Sequence, residues 1–316
     1  MNFKNIDILT AEQFDKASLV KLFKKTQEME GILKGQRGVG AKGKGVEKLM
    51  DGKIMATLFY EPSTRTRFSF EAAFLRLGGK VISGADMATT SSAKKRESLE
   101  DTGKVVSKLA DVIVMRHPSP GSVANLAQVA SVPVINAGDG PHQHPTQGLI
   151  DMYTIWKEFK GQLDGKTIGM VGDLKNGRVP PSLCNLSKHW KMKYVFVAPK
   201  GLEMQKEARA DLAGAGRETR DEVILDHAIG EMDVILMTRL QEERFSSKEE
   251  AEKYRGVYVL TPELMQKARK DAIVIHPLPR VDEISPRVDE DPRAKYFDQV
   301  ENGVVVRMAL LAMVVG

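Results

Sequence analysis

The chain has 316 residues, 42% of them hydrophobic and 28% charged, as is typical of a soluble globular protein with roughly two domains of about 150 residues. Its single cysteine, Cys184, excludes an intrachain disulfide and a zinc site built from cysteines of this chain. The net charge of +5 leaves nucleic acids and small anions open as ligands.

No targeting or membrane segment is predicted. The first residues contain no apolar stretch long enough for the core of a signal peptide. No run of about 18 apolar residues predicts a spanning helix. We therefore expect a cytoplasmic protein with no membrane partner.

Short apolar runs alternate with amphipathic stretches along the chain. Seven runs have the pattern of buried strands: Ile54–Phe59, Val112–Met115, Val132–Ile135, Thr167–Val171, Tyr194–Val197, Val234–Met237 and Ala272–Ile275. Helical patterns between them include Phe68–Leu77, Ser98–Leu109 and Pro145–Phe159. This alternation predicts an α/β fold with parallel sheets flanked by helices.

The predicted architecture has two such domains. A turn at 160–166, with Gly161 and Gly165, separates a helical pattern from a new strand. We assign residues 1–150 to a first domain and 151–299 to a second. Residues 300–316 form a last helix, which we expect to pack its apolar face back on the first domain.

The segment PSTRTR at 62–67 follows the first strand and precedes a helical pattern. A helix N-terminus offers unpaired N–H groups and partial positive charge, and arginine adds a planar fork that fits phosphate oxygens. A simple Ser/Thr cap with surface arginines is the alternative. The density of hydroxyl and guanidinium groups favours an anion site.

Two further motifs follow strands of the first domain. Arg116 lies in MRHP at the end of a strand, and ligands of open α/β sheets bind at such ends. His144 and Gln147 lie in HPTQ, after a glycine-containing loop. Taken singly, the arginine is also explained by an ion pair with a surface carboxylate, and a lone histidine is more often structural or exposed than catalytic.

Three motifs follow strands of the second domain. Arg178 ends GDLKNGR, which lacks the G-x-G-x-x-G pattern and so gives little support to a dinucleotide site. Arg239 and Gln241 lie two residues apart and point the same way if the segment is extended. The third motif is HPLPR at 276–280.

Taken together, these motifs resemble the signatures of aspartate and ornithine carbamoyltransferases, in that family's order. PSTRTRFSFE, MRHP, HPTQ and VGDLK-x-GR match, and the stretch from Asp291 to Gly316 is most similar to the aspartate carbamoyltransferase part of eukaryotic multifunctional pyrimidine enzymes. The resemblance implies that carbamoyl phosphate reacts with L-aspartate to give N-carbamoyl-L-aspartate and phosphate, a step of de novo pyrimidine biosynthesis. It implies a carbamoyl phosphate-binding first domain, an aspartate-binding second domain, and no metal or organic cofactor.

The resemblance also assigns roles to single residues. The implied catalytic residues are Arg65, Thr66, Lys95, Arg116 and His144. The implied carbamoyl phosphate ligands are Ser63, Thr64, Arg65, Thr66, Ser91, Lys95, Arg116, His144, Gln147, Leu278 and Pro279, with a cis Leu278–Pro279 bond. The implied aspartate ligands are Lys95, Arg178, Arg239 and Gln241, and the backbone of Leu278 is implied to meet the substrate amine.

The segment at 90–99, TSSAKKRESL, resembles the family loop that reaches into a neighbouring subunit. It implies a homotrimer with shared active sites, which Ser91 and Lys95 complete. A regulatory subunit or fused pyrimidine-pathway domains are further partners that the resemblance allows. Nucleic acid is not expected, because the basic residues lie in phosphate-sized motifs and form no continuous stripe.

Two departures from the family pattern keep other functions open. Arg96 stands where the pattern has glycine, and Pro180–Pro181 follows Arg178. Because proline is tolerated only in the first helical turn, we expect a helix to begin near Val179, or the geometry of Arg178 to differ from the family's. The alternatives are an ornithine or other carbamoyltransferase, and a catalytically weak regulatory or scaffold relative.

Overall fold

The structure, a computed structural model, describes residues 1–37, 48–90, 97–140 and 142–316. Within them the chain forms two parallel sheets flanked by helices, so the predicted α/β class is confirmed. Two compact units are present, one formed by residues 1–149 with 301–316 and the other by 150–300.

The first unit contains a four-stranded parallel sheet in the order β2-β1-β3-β4. Its strands are β1 (Ile54–Phe59), β2 (Lys80–Gly84), β3 (Val112–His117) and β4 (Val134–Asp139). Its helices are α1 (Lys16–Arg37), α2 (Thr64–Arg76), α3 (Met87–Thr90), α4 (Leu99–Val106), α5 (Ser122–Val129) and the start of α6 (Pro145–Glu158).

The second unit contains a five-stranded parallel sheet in the order β7-β6-β5-β8-β9. Its strands are β5 (Thr167–Val171), β6 (Lys193–Val197), β7 (Thr219–Glu222), β8 (Val234–Met237) and β9 (Ile273–Ile275). Its helices are the rest of α6, α7 (Val179–Ser187), α8 (Lys206–Gly214), α9 (Leu225–Ala228), α10 (Lys248–Glu252), α11 (Pro262–Lys267) and the first residues of α12 (Asp298–Val315).

The central strands are apolar over nearly their whole length because helices cover both faces of each sheet. All five residues of β5 are buried, and only the first residue of β1 is partly exposed. One core cluster of the first unit includes Ile113, Met115 and Leu126, which join the sheet to α5. Burial on both faces explains why these strands carry no polar alternation.

One edge strand of each sheet, β4 in the first unit and β9 in the second, pairs with a residue outside the sheet. Ile8 bridges β4 through Ile135, and Ala294 bridges β9 through Val274. Such pairing occupies backbone groups that an open edge would expose.

The amino ends of the two sheets carry the same ion-pair arrangement. Lys53 Nζ lies 2.9 Å from Asp111 Oδ1, while the backbone N–H of Ile54 donates to Asp111 Oδ2 at 2.9 Å. Lys166 Nζ lies 3.0 Å from an oxygen of Asp233, whose other oxygen accepts the N–H of Thr167 at 2.8 Å. In each unit, the aspartate before one strand thus fixes the start of the strand beside it.

The C-terminal helix contributes a buried arginine to the first unit. Arg307 is 3% exposed, and its Nη1 donates to Ser69 Oγ at 2.9 Å. Its guanidinium lies 4.7 Å from the centre of the Phe70 ring. Both contacts fall on α2, so residues 301–315 of α12 support the helix that begins at Thr64.

Candidate active site

The N-terminus of α2 is presented at the carboxyl end of β1. Ser63 is the N-cap residue, and its side chain makes no capping hydrogen bond. Thr64 and Arg65 are exposed, whereas Thr66 is only 9% exposed. A helix start that is not capped by its own serine keeps backbone N–H groups available for an anion.

Arg116 is held beside this helix start by the register of β1 and β3. It pairs with Phe59 across the sheet, and its carbonyl accepts the N–H of Tyr60 at 2.9 Å. Its Nε donates to Glu61 Oε1 at 2.6 Å, with the two side chains 16% and 26% exposed. Within the described part of the chain, Glu61 is the only hydrogen-bond partner of this guanidinium. Toward the described residues, both Nη groups are thus available to a ligand.

The loop after β4 places His144 at the start of α6. Gly140 has φ +57°, and a Cβ there would overlap the carbonyl oxygen of Pro118, so glycine is required. Asp139 is 3% exposed and accepts the N–H of Gln143 at 2.8 Å. His144 is itself 5% exposed, with Nδ1 3.5 Å from Thr146 Oγ1.

These observations place most of the first-domain candidates at one edge. Strands β1, β3 and β4 are adjacent and parallel, so the segments after them share the carboxyl edge of one sheet. The candidates at this edge are Ser63, Thr64, Arg65, Thr66, Arg116, His144 and Gln147. Ser91, Lys95 and Arg96 lie outside the described residues.

In the second unit a buried aspartate joins two candidate segments. Asp173 is 2% exposed and follows Gly172 at the end of β5. Its Oδ1 accepts the N–H of Asn176 at 2.9 Å, and its Oδ2 accepts the N–H of Gln241 at 3.1 Å. The loop that carries Arg178 is thereby tied to the loop that carries Gln241.

Helix α7 begins at Val179, with Pro180 and Pro181 in its first turn and Arg178 as the N-cap residue. The predicted start is confirmed, and the prolines interrupt no interior helical hydrogen bond. The Arg178 carbonyl accepts the hydroxyl of Ser182 at 2.9 Å. The Arg178 side chain is partly buried at this helix start.

Arg239 is fixed by a neighbouring carboxylate. Its Nη1 donates to Glu243 Oε2 at 3.0 Å and to the carbonyl of Leu240 at 2.9 Å, and its Nη2 donates to Glu243 Oε1 at 2.5 Å. The hydrogen bonds raise the pKa of Arg239 and lower the pKa of Glu243. The guanidinium is therefore charged and held in one orientation.

The HPLPR segment follows β9. Its Leu278–Pro279 bond is cis, as the resemblance implies. Nε2 of the buried His276 lies 2.6 Å from Glu283 Oε1, and the N–H of Leu278 donates to His276 Nδ1 at 2.8 Å. Arg280 pairs with Asp289, so both ends of the segment are anchored.

Sequence reasoning missed the carboxylates that orient these groups: Glu61, Asp173, Glu243 and Glu283. The four-residue spacing from Arg239 to Glu243 is a local signal for that pair. The seven-residue spacing between His276 and Glu283 carries no recognised pattern.

Neither a membrane span nor a metal centre is found among the residues that the structure describes. Within those ranges, no helix is long and apolar enough to cross a membrane. In the same parts of the chain, no group of three or more His, Cys, Asp or Glu side chains is arranged to hold a metal ion.

Comparison with known proteins gives consistent matches along the chain. Residues 6–157 match the carbamoyl-P binding domain of the aspartate/ornithine carbamoyltransferase family, and residues 164–314 match its Asp/Orn binding domain. An aspartate carbamoyltransferase catalytic subunit of Methanopyrus kandleri is 44% identical over 100% of this chain and 99% of its own. Multifunctional protein pyr1-3 of Dictyostelium discoideum is 44% identical over 98% of this chain and 13% of its own.

A solved structure shows the same fold. Aspartate transcarbamoylase from Trypanosoma cruzi, in complex with carbamoyl aspartate and phosphate, superposes with a TM-score of 0.91 at 37% identity. The match covers 99% of this chain and 97% of that one.

Proposed function

This chain belongs to the aspartate/ornithine carbamoyltransferase family, and from that premise we propose that it transfers the carbamoyl group of carbamoyl phosphate to L-aspartate. The products are N-carbamoyl-L-aspartate and phosphate, a step of de novo pyrimidine biosynthesis. The observation that carries the proposal is the set of anion-binding groups after β1, β3 and β4 at one sheet edge.

The first unit is proposed to bind carbamoyl phosphate. Backbone N–H groups at the start of α2, with Ser63, Thr64 and Arg65, suit the phosphate. Thr66, Arg116 and His144 donate to the carbonyl oxygen, where negative charge grows during attack, and Gln147 holds the amide. Prepositioned donors of this kind typically contribute about 3 kcal/mol each to transition-state stabilisation.

The second unit is proposed to bind aspartate and deliver its neutral α-amine, which meets the backbone of Leu278. The amine attacks the carbonyl carbon, the C–O bond to phosphate breaks, and the phosphate takes the amine proton as it leaves. Proximity and the charge of the arginines supply most of the rate enhancement. This chemistry requires no metal or organic cofactor.

Aspartate is favoured over ornithine by the charges of the second unit. Arg178 and Arg239 suit the two carboxylates of aspartate, with Gln241 beside them. The side-chain ammonium of ornithine would be repelled by these arginines. Ornithine carbamoyltransferase activity is therefore the second candidate.

We also propose a homotrimer in which Leu278 and Pro279 act with Ser91 and Lys95 of a neighbouring subunit on carbamoyl phosphate. Lys95 would add positive charge for both substrates, and the loop would exclude water. A regulatory subunit is a further proposed partner, and fused domains are favoured by the Dictyostelium relative, of which this chain spans a small part. The cytoplasmic location remains a prediction.

The substrate is tested by measuring carbamoyl transfer to L-aspartate and L-ornithine in parallel. We expect carbamoyl aspartate alone. Arg65→Ala should abolish most of this activity, while Arg76→Ala, at the other end of α2, should retain it. Activity with ornithine only, or an Arg65→Ala protein with normal turnover, would refute the proposal.

Shared sites are tested by co-expressing Lys95→Ala and His144→Ala chains. Each variant alone should be nearly inactive. In a mixed trimer, some sites combine the His144 of a Lys95→Ala chain with the Lys95 of a neighbouring His144→Ala chain. Such sites carry neither substitution, so activity should return. A folded mixture that stays inactive, or a fully active monomer at high dilution, would contradict sharing.

A further inference from the structure

The buried pair of His276 and Glu283 has no part in the proposed chemistry. The two side chains are 0% and 6% exposed, and Nε2 lies 2.6 Å from Glu283 Oε1. The other Glu283 oxygen accepts the N–H groups of Val281 and Asp282, each at 3.1 Å. Although burial raises the pKa of Glu283, the hydrogen bond from His276 and the backbone N–H groups lower it overall, so the carboxylate is ionised.

The hydrogen bonds determine which nitrogen of His276 carries the proton. The N–H of Leu278 donates to Nδ1 at 2.8 Å, so Nδ1 must present a lone pair. The ionised Glu283 only accepts, so Nε2 must carry the hydrogen of the 2.6 Å contact. The neutral Nε2–H tautomer satisfies both contacts. In an imidazolium, the hydrogen on Nδ1 would instead point at the N–H of Leu278.

Leu278, whose N–H donates to His276, has an unusual backbone conformation. Leu278 has φ +52°, in the left-handed region that residues with a Cβ seldom adopt. Such conformations persist where surrounding contacts impose them, and they cluster at functional sites. The backbone of His276 is also anchored, because its N–H donates to Gln299 Oε1 at 2.8 Å. Gln299 Nε2 in turn donates to Asp151 Oδ1 at 2.8 Å.

We infer that His276 is a positioning residue, whose Nδ1 lone pair holds the Leu278 amide and so sets the orientation of the backbone that receives the α-amine of aspartate. The inference rests on the proposed function, because the role of the Leu278 backbone belongs to that proposal. Glu283 fixes the tautomer by accepting the Nε2 proton.

Two substitutions at one position separate this role from simple core stability. In His276→Asn, the amide oxygen can occupy the place of Nδ1 and accept the N–H of Leu278. In His276→Gln, the longer side chain places its amide near Nε2, where it can donate to Glu283 but leaves Leu278 without an acceptor. A purely structural role gives no reason for the two variants to differ in substrate affinity.

The first experiment measures kcat and the KM of each substrate for wild type and both variants. We expect His276→Gln to raise the KM of aspartate at least about tenfold, because a partly buried donor is left unpaired, and to raise the KM of carbamoyl phosphate clearly less. His276→Asn should restore most of this loss. Equal KM values for aspartate in the two folded variants, or an equal rise for both substrates, would overturn the inference. A wild-type protein that forms no carbamoyl aspartate would instead refute the proposed function.

The second experiment observes the unmodified sequence and uses a variant only to assign its signals. The ring nitrogens of the six histidines are observed by ¹⁵N NMR of protein labelled at histidine, with His276→Asn or, if that variant does not fold, Glu283→Gln used for assignment. We expect His276 in the Nε2–H tautomer at neutral pH. An Nδ1–H tautomer or an imidazolium would overturn the inference, even if the KM values agreed with it.

Discussion

Arg239 and Glu243 form a two-pronged ion pair, with one Nη–Oε distance of 3.0 Å and the other of 2.5 Å. The arginine is 25% exposed and the glutamate 56% exposed. Paired exposed charges contribute little to stability, but a planar fork held at both nitrogens has a defined orientation. The pair is therefore better understood as orienting the arginine for a ligand than as stabilising the fold.

Glu243→Gln should raise the KM of aspartate by roughly fivefold or less, because the loss of an exposed ion pair costs about 1 kcal/mol at most. The KM of carbamoyl phosphate should not change. Glu242→Gln is the matched control, since Glu242 pairs with Arg255. A larger effect of the control than of Glu243→Gln would contradict the orienting role.

Arg116→Lys should lower kcat by about 100-fold, although it keeps the positive charge. A lysine presents a single ammonium and does not hold Glu61 through Nε while two Nη groups face the ligand. Steady-state kinetics with the melting temperature measured beside them would test this. Arg76→Lys serves as the control, and near-normal turnover of a folded Arg116→Lys protein would remove Arg116 from the donor set.

The interior strands were predictable from sequence, while two of the four edge strands, β2 and β7, were not. Ile54–Phe59, Thr167–Val171 and Val234–Met237 were predicted with the bounds that the structure has, because strands covered on both faces are continuously apolar. β2 and β7 were missed. They are edge strands with the sequences KVISG and TRDE, and their mostly exposed residues produce no apolar run.

Some residues of the candidate site were predictable from sequence and others were not. Arginines and histidines at strand ends were predictable because parallel strands bring their carboxyl ends to one edge. The carboxylates that orient them were not. Asp173 meets the N–H of Gln241, 68 residues away along the chain, only after β5 and β8 have paired. Such partners depend on tertiary structure, which a local pattern does not encode.

The two lysine–aspartate pairs at the amino ends of the sheets should differ in their effect on stability. Asp233 is 3% exposed, so Asp233→Asn should lower the free energy of unfolding by about 2 kcal/mol through lost bonds to Lys166 and Thr167. Asp111 is 34% exposed, so Asp111→Asn should cost less than about 1 kcal/mol. Urea unfolding of both variants tests the order, and the reverse order would refute the argument from burial.

His117 predicts how stability changes in mild acid. Burial lowers the pKa of His117 below its ordinary value of 6.5, and its Nδ1 accepts the N–H of Ser119 at 3.0 Å, which requires a neutral nitrogen. Between the folded pKa and 6.5 the unfolded chain binds more protons than the native protein. The stabilisation is therefore complete above 6.5 and is lost as the pH falls through this window.

His117→Asn removes the titration while its amide oxygen can still accept the N–H of Ser119. The variant should lose less unfolding free energy than wild type between about pH 7 and pH 5, a range that brackets the ordinary histidine pKa. Urea unfolding at matched protein concentration measures this difference. Above pH 7 the two proteins should differ by a constant amount, because both side chains are then neutral. Parallel losses on acidification would show that His117 is not the group that titrates, and a steeper loss in the variant would mean that the folded protein binds the proton more tightly than the unfolded chain.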